Sequence, residues 1–262
     1  MTTRVFAMLL AVLMLCLCVA CSNKSDEGET GDPVINIGIQ KPTYKDSHGD
    51  TFTYEYLSST TVAITGFSGS DEPHLVTIPA VIEDRDVVAI ADQAFYANSN
   101  ISDIKCEAKL TAVGDYAFAY CEALKTVELP STVEKIGKGA FYNCSAMTSC
   151  TMPEGLTTVD NYAFAGCAAL PSVTFPSTLK EIGEYAFANC VALEAIVIPE
   201  GATTVGAQAF YNCTAVAALN LPASLTEIGE WAFNPIVRDL PDEAITVVAD
   251  SVAAKYVKQF RP

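Results

Sequence analysis

The sequence predicts an α/β repeat solenoid, a stack of short parallel β-strands with a 23-residue period that is capped at both ends. An Ala-Phe pair recurs at intervals of 23 residues, and a strand pattern that ends in proline recurs at the same interval. Self-similarity at such a period is typical of stacked repeat units. The phenylalanines of the seven pairs are Phe95, Phe118, Phe141, Phe164, Phe187, Phe210 and Phe233.

The chain begins with an apolar segment. Residues 5–19 are almost continuously apolar, Arg4 precedes them, and a polar stretch follows. Because a membrane-spanning helix needs roughly 18 to 25 apolar residues, residues 1–20 are predicted to be a secretory signal. The segment that ends at Cys21 resembles a bacterial lipobox, which implies a lipid on Cys21 and display at the outer membrane or cell surface; secretion without a lipid is the alternative. Residues 21–32 are predicted to be a flexible tether.

An N-terminal β cap is predicted over residues 33–74. Residues 51–56 and 61–66 alternate in polarity around a turn-like segment, which is the pattern of a β-hairpin. A cap is expected because an open stack of repeats exposes an apolar cross-section. The first turn of the stack is expected to contain about five inserted residues around residues 83–86, since its proline and phenylalanine are further apart than in later turns.

The solenoid itself is predicted over residues 75–248. Two apolar residues separated by one other residue precede each repeat proline, as in Val127-Glu128-Leu129-Pro130. Alternation of this kind makes a short strand, and the proline ends it because proline has no N–H for the ladder. A strand of about four residues cannot bury its own face, so parallel strands about 4.8 Å apart are expected to stack.

The second half of each repeat is predicted to return the chain through a tight turn. A glycine is expected to allow a left-handed turn there, and aspartate, which replaces it once, tolerates the same conformation. The residues at this position are Gly114, Gly137, Asp160, Gly183, Gly206 and Gly229.

Neighbouring repeats differ in the turn that follows the strand. Pro-Ser-Thr at residues 130–132 and 176–178 alternates with Pro-Glu-Gly at residues 153–155 and 199–201. This alternation implies a period of two turns. Duplication history and a steric need for neighbours to differ are both compatible with it.

The chain is predicted to end in a helical cap over residues 249–262. Residues 245–248 have the composition of a last strand. Asp250 is expected to cap the helix that follows, with Tyr256 and Phe260 on its apolar face. Such a helix would close the stack.

Composition limits the classes of function. The 262 residues carry a formal net charge of −16, which disfavours binding to nucleic-acid phosphates. The two histidines, His48 and His74, lie in the predicted N-terminal cap and belong to no catalytic or metal-binding motif. We therefore expect no enzymatic activity, no cofactor and no metal.

The cysteines follow the repeat. In an exported chain they would suggest disulfides, but residues at one repeat position point the same way from neighbouring turns and cannot face each other as a disulfide requires. Buried free thiols are therefore the favoured interpretation. The repeat position holds Cys121, Cys144, Cys167, Cys190 and Cys213, and the strand positions hold Cys106 and Cys150.

Aromatic residues flank the Ala-Phe pairs. If alanine and phenylalanine point inward, some of these residues point outward and form a broken stripe, which is a candidate site for protein or sugar recognition. Packing of the rings between neighbouring turns is the alternative. The candidate binding residues are Tyr116, Tyr162, Tyr185, Trp231, Tyr142 and Tyr211.

The repeat unit LxxVxLPxxLxxIGxxAFxxC resembles that of the BspA-like leucine-rich repeat family, surface proteins of host-associated bacteria and some protists. The resemblance covers roughly residues 75–248 and implies a right-handed leucine-rich-repeat stack. Better-known leucine-rich repeats carry an asparagine ladder in their turns, and here that position is not asparagine, so other groups must satisfy the turn backbone. The residues at that position are Thr132, Gly155, Thr178, Gly201 and Ser224.

The same resemblance implies a non-enzymatic, surface-displayed binding module. Its expected role is adhesion or protein–protein interaction with a host or neighbouring-cell partner such as a matrix protein. Carbohydrate binding through the tyrosine stripe and a structural spacer without a specific ligand are the alternatives. No nucleic-acid partner is expected, and contact with a membrane is expected only through the N-terminal lipid.

Overall fold

The described chain opens with an antiparallel β-meander. The structure is a computed structural model that describes residues 41–261, so the predicted signal, Cys21 and the tether lie outside the described residues. Strands β1 (Thr43–Lys45), β2 (Thr51–Tyr56) and β3 (Thr61–Ser68) pair antiparallel in chain order. The predicted hairpin is thereby confirmed.

The outer edge of β3 begins the parallel stack. It pairs in parallel with β6 (Arg85–Ile90), which also pairs antiparallel with the short strand β5 (Val81–Ile82). Glu83 and Asp84 connect these two strands with φ values of +48° and +59°. The predicted insertion is thus a β-hairpin with a two-residue turn of left-handed conformation.

Each later turn of the solenoid contributes to two rows of parallel strands. The predicted strand pattern forms the first row: β4 (His74–Ile78), β7 (Ile101–Cys106), β9 (Thr126–Glu128), β11 (Ser149–Cys150), β14 (Ala195–Val197), β16 (Ala218–Leu221) and β18 (Ile245–Val247). The residues before the repeat glycine form the second row: β8 (Ala112–Val113), β10 (Lys135–Ile136), β12 (Thr158–Val159), β13 (Glu181–Ile182), β15 (Thr204–Val205) and β17 (Glu227–Ile228). The second row continues from β6 without a break.

The first row is interrupted between β11 and β14. Residues 172–175 were expected to form a strand, but they form none. At the equivalent position of the two preceding turns, Lys125 and Thr148 donate their N–H to the turn before at 2.7 and 2.9 Å. Pro171 stands at this position and has no N–H to donate, so the ladder fails there.

The repeat glycines are required for a different reason from the one expected. None of these five glycines has a positive φ, so the expectation of left-handed turns is wrong. A Cβ atom on Gly206 would lie 2.5 Å from the backbone nitrogen of Glu184 and from the carbonyl carbon of Gly183. The backbones of successive turns approach so closely at Gly206 that a Cβ atom there would force the neighbouring backbone to shift. Asp160, the exception, directs its carboxylate to the Asn161 N–H at 2.7 Å and to Lys135 Nζ at 2.8 Å.

The two-turn period has a structural cause. Gly155 has a φ of +110°, and its N–H donates to Thr178 Oγ1 in the next turn at 3.0 Å. The same hydroxyl donates to the carbonyl of Leu156 at 2.9 Å. Gly201 and Ser224 repeat this arrangement one period later. A Pro-Glu-Gly turn is therefore joined to the hydroxyl-bearing turn that follows it, so neighbouring turns must differ.

The core is a column of stacked phenylalanine rings. Consecutive rings from Phe95 to Phe233 lie 4.7–5.3 Å apart, centroid to centroid. Phe67 and Phe52 of the meander extend the column at one end, and Tyr256 extends it at the other. The seven Ala-Phe pairs are buried, as predicted.

The described helices all lie near the C-terminus. They are α1 (Ile236–Asp239), a 3₁₀ turn (Asp242–Ala244) and α2 (Val252–Phe260). The N-cap of α2 is Ser251, whose hydroxyl accepts the Ala254 N–H, so the expectation that Asp250 caps this helix is wrong. Because the repeats themselves are strands and turns, the term α/β fits loosely. None of the described helices combines the length and apolar character needed to cross a membrane.

Candidate functional site

Two positions have a left-handed backbone in each turn from Phe95 to Phe210, and the turn of Phe233 has the first of them. They lie two residues before and two residues after the buried phenylalanine. This segment connects a strand of the second row to the next strand of the first row, and we call its outer surface the return face. The residues before it are Gln93, Tyr116, Gly139, Tyr162, Tyr185, Gln208 and Trp231. The residues after it are Ala97, Tyr120, Asn143, Gly166, Asn189 and Asn212.

Hydrogen bonds between turns accompany this conformation. Tyr116, Phe118 and Tyr120 each donate their N–H to a carbonyl of the next turn, at 2.7 Å in all three cases. The amide of every second residue therefore points along the solenoid axis. The bonds form a third backbone ladder, which fixes the position of every side chain on this face.

Aromatic residues are an unusual choice for a left-handed position. A left-handed conformation costs a residue with a Cβ atom about 1–2 kcal/mol, and glycine and asparagine adopt it most readily. After the phenylalanine the chain mostly uses these favoured residues, whereas before it the chain mostly uses tyrosine or tryptophan. Residues held in costly conformations are concentrated at functional sites. The aromatic residues of this face are therefore candidates for recognition.

Five tyrosines line a groove of about 710 Å³ on this face, together with Gln93 and Lys138. We call it the tyrosine groove. It crosses four successive turns, those of Phe95, Phe118, Phe141 and Phe164. The five tyrosines are Tyr96, Tyr116, Tyr120, Tyr142 and Tyr162.

The rings of the tyrosine groove pack edge to face. The ring centroids of Tyr96 and Tyr120 lie 5.6 Å apart at 67°, and those of Tyr120 and Tyr142 lie 5.4 Å apart at 72°. Edge-to-face contacts of this kind hold aromatic rings in place. The result is a wall of alternating ring edges and ring faces.

Gly139 allows the ring of Tyr116 to pack closely against the next turn. A Cβ atom on Gly139 would lie 2.4 Å from Cε1 of Tyr116, so the Tyr116 ring lies against this glycine. Gly139 stands at the position that holds tyrosine in the turns before and after it. The ring of Tyr116 therefore occupies the space that a side chain at position 139 would need.

The polar groups of the groove are hydrogen-bond donors. The tyrosine hydroxyls, the Gln93 amide and the Lys138 ammonium group can all donate, and no carboxylate stands among the lining residues. Partial burial and the neighbouring Tyr120 raise the pKa of Tyr142 above its ordinary value of 10. The hydroxyl of Tyr142 therefore stays protonated and able to donate at neutral pH.

The structure brings together half of the predicted aromatic stripe. Tyr116, Tyr142 and Tyr162 line the tyrosine groove, and Tyr185 lies beside it with its ring stacked on Tyr162 at 5.0 Å and 3°. Tyr211 is exposed but does not line the groove. The same is true of Trp231, so the stripe is not one continuous site.

Two groove residues are missing from the predicted stripe. Tyr96 and Tyr120 are 48% and 37% exposed, the largest exposures among the groove tyrosines. Tyr96 shares its position after the phenylalanine with Tyr142, which could have identified it. Tyr120 lies one residue further on, at the second left-handed position, which the repeat pattern alone does not mark as outward.

The repeat cysteines are buried free thiols, as predicted. Each of the five donates its S–H to a phenylalanine carbonyl of the preceding turn, with sulfur–oxygen distances of 3.1–3.3 Å. Burial raises the pKa of Cys121 to about 12 and that of Cys167 well above its ordinary value of 9. These thiols satisfy backbone carbonyls and lack the character of nucleophiles.

The N-terminal cap contains a buried aspartate that is hydrogen-bonded to a partly buried histidine. Asp50 is 3% exposed, and both of its carboxylate oxygens lie 2.9 Å from Nε2 of His74. The other ring nitrogen, Nδ1, lies 3.0 Å from Ser70 Oγ and from the carbonyl oxygen of Glu72. Partial burial lowers the pKa of His74, but the hydrogen bond and the charge of Asp50 outweigh this effect, so its pKa lies above the ordinary value. These three side chains join residues 50, 70 and 74 within the N-terminal cap, and we assign them a structural role there.

The comparison with known proteins agrees with this fold. The model of the BspA type leucine-rich repeat region matches six copies, over residues 88–216 and 134–238. A leucine-rich repeat protein from T. pallidum is 25% identical with a TM-score of 0.68, and the match covers 80% of this chain and 92% of that one. A leucine-rich cell surface protein from Faecalibacterium prausnitzii is 30% identical with a TM-score of 0.64, and the match covers 73% of this chain but only 52% of that one. No curated protein matches the chain.

The family model spans more than half of the residues, and the structure supplies what it requires: a 23-residue period, parallel strands and a buried column of phenylalanine rings. The chain therefore belongs to the BspA-type leucine-rich repeat family.

Proposed function

We propose that this chain is a non-enzymatic, surface-displayed module that binds a protein partner of a host or a neighbouring cell through the tyrosine groove. The observation that carries the proposal is the concentration of half-exposed tyrosines on a rigid backbone ladder. Tyrosine is enriched where proteins bind each other, because it offers a large apolar ring and a hydroxyl at a small entropic cost.

Two further observations support display at the cell surface. The apolar segment before Cys21 is typical of an export signal, and the similar protein from Faecalibacterium prausnitzii is described as a cell surface protein. Adhesion to matrix proteins would follow from such a position. The lipid on Cys21 is part of the same proposal.

Intact cells that express the full chain provide the test. They are exposed to a panel of immobilised matrix proteins, such as collagen and fibronectin, with and without a calcium chelator. We expect calcium-independent binding, at least ten-fold weaker for the double variant Tyr96→Ala/Tyr120→Ala, because the two rings supply exposed contact area.

Tyr211→Ala provides the matched control, because Tyr211 is similarly exposed but lies outside the groove. Binding that is equally weakened by Tyr211→Ala would contradict a specific role of the groove. Binding that free oligosaccharides abolish would replace the protein partner with a carbohydrate. Failure to bind any matrix protein or glycan would favour a spacer.

A further inference from the structure

We propose that the tyrosine groove binds a proline-rich segment of its protein partner in the polyproline II conformation. The inference rests on the proposed function and names the chemistry of the partner. Three observations carry it: the spacing of the tyrosines, the edge-to-face arrangement of the rings, and the donor groups of the lining.

The spacing of equivalent tyrosines matches the pitch of a polyproline II helix. Tyr96 and Tyr142 occupy the same repeat position two turns apart, and Tyr116 and Tyr162 share a second position, also two turns apart. Two turns of stacked strands span about 9.5 Å. A polyproline II helix advances about 9.3 Å in each three-residue turn. Prolines at positions i and i+3 of a bound segment would therefore contact equivalent tyrosines.

Other extended ligands fit this spacing less well. A β-strand repeats its side-chain direction about every 6.7 Å, which matches neither one turn of the solenoid nor two. A sugar stacks on an exposed ring face, and in this wall the face of one ring is met by the edge of the next. The wall of Tyr96, Tyr120 and Tyr142 presents rings at 67° and 72° to each other, so it offers ridges and slots of the kind that receive proline rings.

The lining also has the hydrogen-bonding character that a proline-rich segment needs. Proline has a carbonyl acceptor and no N–H donor, and the backbone of a polyproline II helix makes no internal hydrogen bonds. The groove offers hydroxyl, amide and ammonium donors and no carboxylate. The net charge of −16 would attract a partner whose residues beside the proline-rich segment are basic.

Calorimetric titration of the purified protein tests the proposal. The probe is a peptide of ten prolines with one lysine at each end, and the control peptide has the same lysines around ten alternating glycine and serine residues. We expect the proline peptide to bind at least ten-fold more tightly than the control. The variant Tyr96→Ala/Tyr142→Ala should weaken binding at least ten-fold, and Tyr211→Ala should change it less than two-fold.

Thermal unfolding of each variant shows whether its fold is intact. If the double variant unfolds, the single variant Tyr96→Ala replaces it, because this half-exposed side chain is not part of the core. Equal affinity for the two peptides would overturn the proposal, and so would an equal loss in Tyr211→Ala. If matrix proteins still bind through the groove tyrosines and the proline peptide does not compete, only this inference fails. Tyrosine-dependent binding to glycans would overturn both proposals.

Discussion

At the scale of single residues, the cysteines that recur every 23 residues satisfy backbone carbonyl groups. Each thiol packs like a small apolar side chain and donates to a phenylalanine carbonyl of the turn before, as Cys167 does to Phe141 at 3.3 Å. Burial keeps these thiols protonated because it raises their pKa. The chain can therefore hold these free cysteines without forming disulfides, since neither the geometry nor the reactivity favours them.

The pair of His74 and Asp50 predicts a pH dependence of stability. The folded-state pKa of His74 lies above its ordinary value of 6.5. The pair therefore stabilises the fold fully below pH 6.5, and this contribution is lost as the pH rises through the folded-state pKa. Urea unfolding is measured for the wild-type protein and for His74→Gln between pH 5.5 and 8.5. The free energy of unfolding of the wild-type protein should fall, relative to that of the variant, as the pH rises.

The exposed histidine of the same cap gives a control for this experiment. His48→Gln should keep the pH dependence of the wild-type protein. If His74→Gln shows the same pH dependence as the wild-type protein, the pair of His74 and Asp50 is not the cause of that dependence.

At the scale of elements, glycines at two repeat positions serve different purposes. Gly155 is needed for its φ of +110°, where the nearest atom that a Cβ would meet is the carbonyl oxygen of Ser131 at 3.3 Å. Gly206 has an ordinary φ but lies against the backbone of the turn before. A side chain at Gly155 would strain the backbone but would find space, whereas a Cβ atom on Gly206 would meet backbone atoms of the turn before at 2.5 Å.

Substitution by asparagine should therefore separate the two roles. We expect Gly155→Asn to lower the free energy of unfolding by about 1–2 kcal/mol, because a φ of +110° is strained for any residue with a Cβ atom. Gly206→Asn should lower it by about 3 kcal/mol or more, because the opposing atoms belong to backbone and cannot move aside. Urea unfolding measures both values. Similar costs for the two variants would refute the distinction.

At the scale of the whole molecule, the solenoid is a one-dimensional stack whose ends must be closed. The ring of Tyr256 in α2 lies edge-on to Phe233 with a centroid distance of 6.0 Å. Its hydroxyl accepts the N–H of Phe233 at 3.2 Å, a donor that the last turn would otherwise leave unpaired. Because each turn contacts only its neighbours, the loss of a cap weakens the turn beside it first.

Substitutions of Tyr256 test this role of the cap. Tyr256→Ala should lower the free energy of unfolding by about 3–5 kcal/mol, since it removes a large ring from the end of the core. Tyr256→Phe keeps the ring and loses only the hydrogen bond, so about 1 kcal/mol is expected. The single tryptophan, Trp231, lies in the last turn, and its fluorescence reports the unfolding. An unchanged midpoint in Tyr256→Ala would show that α2 does not close the stack.

The period of the sequence determined most of the fold. Equal spacing identified the Ala-Phe pairs as inward, the cysteines as one buried free-thiol position and the proline-ended segments as strands. It did so because residues that share a position in a stack share an environment. Local sequence was decisive for the exceptions as well, since the missing N–H of Pro171 explains the interrupted row of strands.

Only the tertiary structure decided which aromatic residues form a site. The sequence predicted Tyr116, Tyr142 and Tyr162 but not Tyr96 and Tyr120, because the direction of a side chain depends on the sign of φ and on the turn beside it. The tyrosine groove is made by four turns, and the position of the Tyr116 ring against Gly139 follows only from the contact between neighbouring turns. Spacing along the chain reports which residues are equivalent, whereas contacts between turns determine which of them face a common space.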